Sequence, residues 1–284
     1  MPELPEVEVL VRHLGPLLDG QTVHSVRVRR AKVVGPASPR AFARALCGAK
    51  FCGLARRGKY LVFQLRRAGS AERLTLVGHL GMTGRMYLLP AKDPLPRHAA
   101  VVFELGWENF VFEDTRYFGR LNLNGRALAR LGPEPLGAEF TAARFARALA
   151  RSRQAIKVRL LDQALLAGVG NIYASEALFR AKIAPTLPAR GLTAAQVQRL
   201  WRALRAVLRE AIACGSTVPL NYVGQGKHDG LFYFGRAPGA PDYYEERLRV
   251  YDRAGKRCPA CGAAIQRRVQ AARSTFYCPR CQRG

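Results

Sequence analysis

Two Cys-x2-Cys pairs near the C-terminus constrain the fold of this chain more than any other feature. Cys258-Pro-Ala-Cys261 and Cys278-Pro-Arg-Cys281 stand 16 residues apart, a spacing that suits four thiolates around one zinc ion. Disulfide pairing and unused thiols are the alternatives that spacing alone leaves open. Four thiolates close a tetrahedral shell, so such a zinc keeps no position for a substrate and serves structure. The residues between the pairs then read as a hairpin decorated by Arg267, Arg268 and Arg273, a shape suited to clamp phosphates. Cys47, Cys52 and Cys214 are isolated and read as reduced core thiols.

The remaining chain changes texture once. Val7, Leu10, Val11 and Leu14 recur at helical spacing and Gly15-Pro16 interrupts them, predicting a helix over Pro5–Leu14. From Thr22 to Asn124 short β-branched runs alternate with turn signals. They predict strands at Val23–Arg29, Lys50–Leu54, Lys59–Leu65, Leu74–Leu80, Arg85–Leu89, Ala100–Leu105, Asn109–Glu113 and Gly119–Asn124, with a helix near Arg40–Leu46. Strands at that spacing suit an antiparallel sandwich or barrel. Leu131-Gly132-Pro133-Glu134-Pro135 reads as a linker, and helices follow over Thr141–Ala150, Gln154–Leu166, Asn171–Ala181 and Thr193–Cys214. The last opens with a Thr193/Gln196 capping box and is stopped by Gly215. Ser216–Tyr244 is a long loop without periodicity, and Arg247–Tyr251 is strand-like.

Charge narrows the partner. Lys and Arg outnumber Asp and Glu by 46 to 20, a net +26, and the basic residues run through all regions. A polyanion is the natural partner; an RNA-coating role and an Arg-favouring codon bias fit the same number. No run of eighteen apolar residues and no basic-then-apolar leader occur, so the expectation is an intracellular protein without a membrane partner.

The chemistry begins at Met1-Pro-Glu-Leu-Pro-Glu-Val-Glu8. With Met1 removed, Pro2 offers a secondary amine whose pKa is about 7.7–8.0 for an ordinary α-amino group, so much of it is neutral at pH 7. Condensed with an aldehydic carbon, that amine gives an iminium with no N–H to lose, a standing electron sink. Glu3 and Glu6 place carboxylates beside it for proton transfer. The same acids equally suit a helix N-terminus, with Pro5 in its first turn.

Other motifs sit on loops. Ala167-Gly168-Val169-Gly170-Asn171 joins two helices, with Asn171 as a candidate N-cap whose helix N-terminus could meet a phosphate; an ordinary glycine-rich connection reads the same way. Lys157 could add a phosphate contact. Gly58-Lys59-Tyr60, His79-Leu-Gly-Met82-Thr-Gly84 and Asp114-Thr-Arg116-Tyr117-Phe118-Gly119 flank strands. Met82 and Phe118 are candidates to wedge into a base stack and Arg116 to bond an abandoned base, though each alone also reads as packing or surface.

In combination these motifs resemble the formamidopyrimidine-DNA glycosylase family, over almost the whole chain. The resemblance rests on the Pro-Glu-Leu-Pro-Glu-Val-Glu start, Arg57-Gly-Lys59-Tyr-Leu, His79-Leu-Gly-Met82, Arg116-Tyr-Phe118-Gly, Gly168-Val-Gly-Asn171-Ile-Tyr-Ala-Ser-Glu176 and Arg273-Ser-Thr-Phe-Tyr-Cys278. It implies an α+β multidomain fold: an N-terminal catalytic β-sandwich with an N-terminal helix (1–131), a helix-two-turn-helix domain (132–217), a lesion-capping loop (218–246) and a zinc-finger hairpin (247–284).

It implies a monomeric, cytoplasmic, nucleoid-associated bifunctional glycosylase/AP lyase. The enzyme removes oxidised purines, 8-oxoguanine and formamidopyrimidines, from double-stranded DNA, and then performs β,δ-elimination. Pro2 is the nucleophile at C1′, Glu3 the general acid/base, Glu6 its support, and Lys59 a catalytic contact to the lesion phosphodiester. His79, Lys157, Asn171 and Arg273 grip phosphates. Met82, Arg116 and Phe118 fill the void, Arg116 facing the orphaned cytosine. Cys258, Cys261, Cys278 and Cys281 hold one structural Zn2+. The alternatives are an endonuclease VIII-like pyrimidine-lesion enzyme and a catalytically silent zinc-containing damaged-DNA binder. Two departures from the family pattern stand out: Tyr117 occupies the usual place of a second arginine, and Val218–Tyr244 is a longer loop than usual.

Overall fold

Alternating apolar residues and tight turns assemble two four-stranded antiparallel sheets in the first half of the chain. The computed structural model describes residues 2–67, 73–214 and 248–283, which divide into two compact units. One comprises Pro2 and Glu6–Ala129, the other residues 3–5, 130–214 and 248–283. Met1, Gly215 and the Val218–Tyr244 loop lie outside the described residues.

In the first unit the strands are β1 (Ser25–Val28), β2 (Ala49–Arg57), β3 (Tyr60–Arg67), β4 (Arg73–His79), β5 (Gly84–Pro90), β6 (Ala99–Glu104), β7 (Glu108–Asp114) and β8 (Arg120–Asn122). One sheet runs β1-β6-β7-β5 and the other β2-β3-β4-β8, every pairing antiparallel. All eight strands match the expected runs. Inward residues of both sheets share one core: Phe110 meets Phe51 at 6.1 Å and Phe63 at 5.7 Å between ring centroids, spacings at which edge-on aromatic pairs attract.

Helices α2 (Ala31–Val34) and α3 (Pro39–Leu46) fill the connection between β1 and β2. Ser38 caps α3 by accepting from Ala41 N, with Pro39 in the first turn; α2 has too few residues for a periodic signal.

The N-terminal helix α1 (Leu4–Leu18) runs through Gly15-Pro16, one turn beyond the predicted end. An interior proline costs a helix roughly 3 kcal/mol. Here Leu14 and Leu18 are both buried in the core, and burying a leucine contributes roughly 1.5–3 kcal/mol each, so packing overrides the local stop. Asp19 N then closes the turn on Gly15 O. The isolated cysteines are not core residues: Cys47 and Cys52 are exposed and Cys214 half-buried. Cys52 occupies the bulge where the β2–β3 register shifts, and Cys47 donates from the helix end to His24 O.

The second unit is built on α4 (Ala142–Leu149), α5 (Ile156–Leu160), α6 (Asn171–Arg180) and α7 (Ala194–Ala213), followed by the hairpin β9 (Gln266–Gln270) and β10 (Arg273–Tyr277). Thr141, expected as the first residue of a helix, instead caps α4, and the Thr193/Gln196 box caps α7 as expected. From α7, Arg205 donates to Pro135 O and Gly137 O, and the Trp201 indole donates to Phe140 O, so the proline-rich segment is strapped along that helix.

The predicted helix over Gln154–Leu166 shortens to α5. Beyond Leu161 side chains capture the backbone: Asp162 accepts from Ala164 N, while Gln163 donates to Leu161 O and Val169 O and accepts from Gly168 N. Such local bonds compete with helix. Nor is Leu248–Tyr251 a strand. The N–H groups of Arg249, Val250 and Tyr251 donate to the buried Glu176 carboxylate of α6 at 2.8–3.0 Å, which leaves no ladder for a neighbour to join.

Candidate active site

Glu3, the residue after Pro2, is anchored far from its place in sequence. It is buried, and its carboxylate accepts from Gly170 N at 2.7 Å, Ile172 N at 2.8 Å and Tyr173 N at 3.4 Å, the first turn of α6. The expected N-cap Asn171 is instead the first helical residue, and Gly170 stands at the cap without a side chain to give. Glu3 therefore performs the capping, where the helix dipole favours its negative charge. The backbone site proposed for a phosphate is filled by a carboxylate of the same chain. Gly168 makes the approach possible: at φ 87°, a Cβ there would lie 2.7 Å from Leu4 Cβ, and Leu4 N donates to Gly168 O.

Asn171 is thereby free to work with its side chain. Its Oδ1 accepts from Lys157 Nζ at 2.5 Å and its Nδ2 donates to Ser274 O at 2.8 Å. Burial pushes the Lys157 pKa down to about 8; Glu3 opposes the shift and Arg273 adds to it. Glu3, Lys157, Asn171 and Arg273 thus form one electrostatic cluster. Exposed Arg273 opens β10 directly after the Ala271-Ala272 turn.

The four cysteines of the same unit converge as predicted. Their Sγ atoms lie within 4.8 Å of one another, with Cys258–Cys281 at 3.9 Å and Cys261–Cys278 at 3.5 Å. Tetrahedral Zn–S bonds of about 2.3 Å place sulfurs about 3.8 Å apart, so the set fits one structural zinc. Ala260 N and Cys281 N donate toward Cys258 Sγ and Cys278 Sγ, and buried Gln282 ties Cys278 N to Ile183 O beyond α6.

In the first unit Pro2 and Glu6 lie just before and within α1, and the other predicted residues sit on turns or strand ends of the two sheets. Pro2, Glu6 and Lys59 are buried. Lys59 follows Gly58 in the β2–β3 turn, and that turn is braced: Glu8 of α1 pairs with Arg56 Nε at 2.8 Å and with Arg12, while Arg56 Nη1 donates to Gly58 O at 3.1 Å. His79 ends β4, where its Nδ1 accepts from Gly81 N at 3.1 Å, which places the ring hydrogen on Nε2 in the neutral form. Burial, with Lys59 and Arg120 nearby, pushes its pKa down to about 4. At pH 7 His79 is therefore a neutral N–H donor.

Met82, Arg116 and Phe118 form one cluster. Arg116 Nη1 meets Met82 Sδ at 3.3 Å, and its guanidinium lies 4.6 Å from the Phe118 ring centroid. Met82 and Phe118 remain 43% and 46% exposed, apolar side chains held in solvent. Sequence reasoning missed what holds them. The fully buried Asp114 carboxylate accepts from Thr83 Oγ1 at 2.5 Å, Arg116 N at 3.1 Å and Gly119 N at 2.7 Å, pinning both loops. Gly81, at φ 64°, lets those loops touch, since a Cβ there would lie 2.7 Å from Gly119 N.

Comparison with known proteins decides the family. The formamidopyrimidine-DNA glycosylase N-terminal domain matches residues 1–121, the H2TH domain of that glycosylase residues 131–220, and the zinc finger found in FPG and IleRS residues 255–284. The formamidopyrimidine-DNA glycosylase of Thermus thermophilus is 44% identical over 99% of this chain and 98% of its own length. The chain belongs to the formamidopyrimidine-DNA glycosylase family. The Symbiobacterium thermophilum enzyme of the same name is 43% identical over 99% of this chain and 89% of its own.

Solved members of the family superpose along the full length. The Lactococcus lactis Fpg in complex with an abasic site containing DNA matches at TM-score 0.87 and 31% identity, covering 99% of this chain and all of that one. MutM in complex with carbocyclic 8-oxo-G containing DNA matches at TM-score 0.86 and 30% identity, covering both chains completely. Glu3, Asp114 and Glu176, far apart in sequence, are all buried and accept from backbone N–H groups. The signal that could have found Asp114 is its place at a strand end, five residues before a glycine, where an Asp side chain can gather loop N–H groups.

Proposed function

We propose that this chain excises oxidised purines from duplex DNA and cuts the strand at the resulting site, with Pro2 as nucleophile. The observation that carries the reading is the Glu3 carboxylate, peptide neighbour of Pro2 and locked on the first turn of α6. A catalytic carboxylate is useful only if its position is fixed, and three backbone donors fix this one.

The Pro2 nitrogen attacks C1′, the glycosidic bond breaks, and the base departs with the bonding electrons and takes up a proton. Opening of the sugar ring moves a proton to its oxygen, assisted by Glu3, and leaves the iminium. Loss of a C2′ proton then expels the 3′ phosphate, and a second elimination expels the 5′ phosphate. Glu6 supports the acid/base pair and Lys59 contacts the lesion phosphodiester. His79 donates Nε2–H to a phosphate without needing a charge. Lys157, Asn171 and Arg273 grip further phosphates, and Met82, Arg116 and Phe118 occupy the space of the everted nucleotide, Arg116 facing the base opposite.

We assign the catalytic sandwich to 1–131, the helix-two-turn-helix to 132–217, the lesion-capping loop to 218–246 and the zinc hairpin to 247–284. The enzyme acts as a monomer in the cytoplasm, at the nucleoid; among the described residues no helix is long and apolar enough to cross a membrane.

Borohydride reduction on duplex DNA carrying 8-oxoguanine opposite cytosine tests the mechanism. The expected product is one covalent adduct, mapped by mass spectrometry to Pro2 as the mature N-terminus. An adduct on another residue, or none from protein that binds the duplex, overturns it; faster excision of thymine glycol moves the enzyme to pyrimidine lesions.

A further inference from the structure

Between the two exposed wedge residues Arg116 and Phe118 stands Tyr117, whose side chain goes the other way. Its backbone is left-handed, φ 52°, a conformation a bulky residue keeps only when its surroundings fix it. Those surroundings are visible. The Tyr117 ring packs against the sheet core, its hydroxyl lies 3.3 Å from His98 Nδ1, and the Arg30 guanidinium lies over the ring at 4.8 Å from its centroid. His98 is itself held, its carbonyl accepting from Asp114 N at 3.1 Å, so the carboxylate that pins the wedge loops belongs to the residue bonded to the Tyr117 support.

Arg30 is fixed from behind. It immediately precedes α2, and both Arg29 N and Arg30 N donate to Ala100 O of β6, at 2.9 and 3.1 Å. The side chain is exposed, and among the described residues it pairs with no carboxylate. With its guanidinium carbon 4.8 Å from the Tyr117 ring centroid and its side chain exposed, Arg30 keeps N–H groups within reach of solvent, where a phosphate could meet them. The ring contact and the fixed backbone restrict the side chain before any ligand arrives, so less freedom is lost on binding.

We propose that Arg30, stacked on Tyr117 and backed by His98, is a further contact to a DNA backbone phosphate beside the wedge. Arg30 makes the contact, and Tyr117 is its positioning residue. The assignment rests on the DNA-repair reading above, because the wedge is what brings a duplex to this surface. An exposed arginine steadied only to hold Tyr117 in place would make no difference to salt dependence, whereas a phosphate contact must.

The test is binding of the full-length protein to undamaged and 8-oxoguanine duplexes between 50 and 200 mM salt. One lost phosphate contact lowers the slope of log K against log salt by about 0.9, so the affinity ratio of wild type to Arg30→Ala should shrink about threefold across that range. The loss should be equal on both duplexes, since a phosphate carries no lesion information. Arg30→Lys keeps charge but not the planar stack and should recover only part of the affinity. Tyr117→Leu should weaken binding with Arg30 intact; if that variant does not fold, the Arg30 pair decides alone, since an exposed side chain is dispensable for folding. Equal slopes for wild type and Arg30→Ala, from wild-type protein that binds and traps lesion DNA, overturn the proposal. Wild-type protein that neither binds nor traps overturns the repair reading instead.

Discussion

In the first unit Met82, Arg116 and Phe118 stand in solvent on short loops, whereas in the second Glu3 and Lys157 are buried in a continuous polar cluster with Asn171. Each arrangement suits a different task. A wedge must offer apolar surface to a base stack, so its stiffness comes from the backbone beneath it, concentrated in Asp114. A cluster proposed to transfer protons and bind phosphate needs charge in fixed places, and a buried network supplies it because every polar group there requires a partner. Substitution of a cluster residue should therefore damage folding and chemistry together, and substitution at a wedge loop chiefly the recognition step.

Glu3→Gln puts the largest strain on that contrast. One amide oxygen cannot replace two carboxylate oxygens facing Gly170, Ile172 and Tyr173 N–H, and the amide hydrogens would confront donors. We expect a loss of about 2–3 kcal/mol in unfolding free energy, the cost of buried donors left short of an acceptor. Turnover on 8-oxoguanine should fall roughly 10²–10⁴-fold as the acid/base is lost. Denaturant titration and single-turnover excision measure the two. Full stability beside lost turnover would mean that the cap is not what holds Glu3.

Asp114→Asn sharpens the other side. Asn keeps the shape and one acceptor oxygen, so about 1–2 kcal/mol of stability should go. Base eversion, followed by a fluorescent base analogue opposite or beside the lesion, should slow severalfold, while binding to undamaged duplex and its salt slope stay near wild type because no phosphate contact is touched. Eversion at the wild-type rate would show that the loops hold the wedge without the carboxylate.

Local pattern accounts for what could be read in advance. The eight strands follow from alternation and turn residues that act over a few positions, and the zinc site from cysteine spacing that chemistry makes nearly unique. The errors have two origins, packing or partners from distant positions and local side-chain bonds to the backbone. A helix stop at Gly15-Pro16 was overridden by the burial of Leu18, the Gln154–Leu166 helix by the side chains of Asp162 and Gln163, and the Asn171 cap by Glu3, about 170 positions away. Long-range partners are invisible to periodicity. Leu248–Tyr251 carries β-branched and aromatic residues yet gives its N–H groups to Glu176, for the same reason. The motifs were legible, but the burial of Glu3, Asp114 and Glu176 on backbone N–H groups was not, because a buried carboxylate and a surface one look alike in sequence.

His79 has its effect on stability only on acidification, and pH brings it out. It lies between the two strategies: a side chain proposed to grip phosphate in the sheet unit, yet largely buried, with its pKa pushed to about 4. An unfolded histidine titrates near 6.5. Between those values the unfolded chain binds the extra proton, so stability rises with pH across the window and is lost as pH falls from about 6.5 towards 4. Comparing wild type with His79→Gln by thermal or denaturant unfolding should isolate this contribution, at most about 3 kcal/mol between the ends of the window. Wild type should lose stability more steeply than the variant on acidification, with the two curves parallel above pH 7. The phosphate contact should follow the opposite logic: because neutral His79 already donates through Nε2, its share of DNA affinity should hold constant from pH 6 to 8. A share that vanishes between pH 6 and 7 would mean that the imidazolium is the binding form, and that DNA raises the His79 pKa into that range.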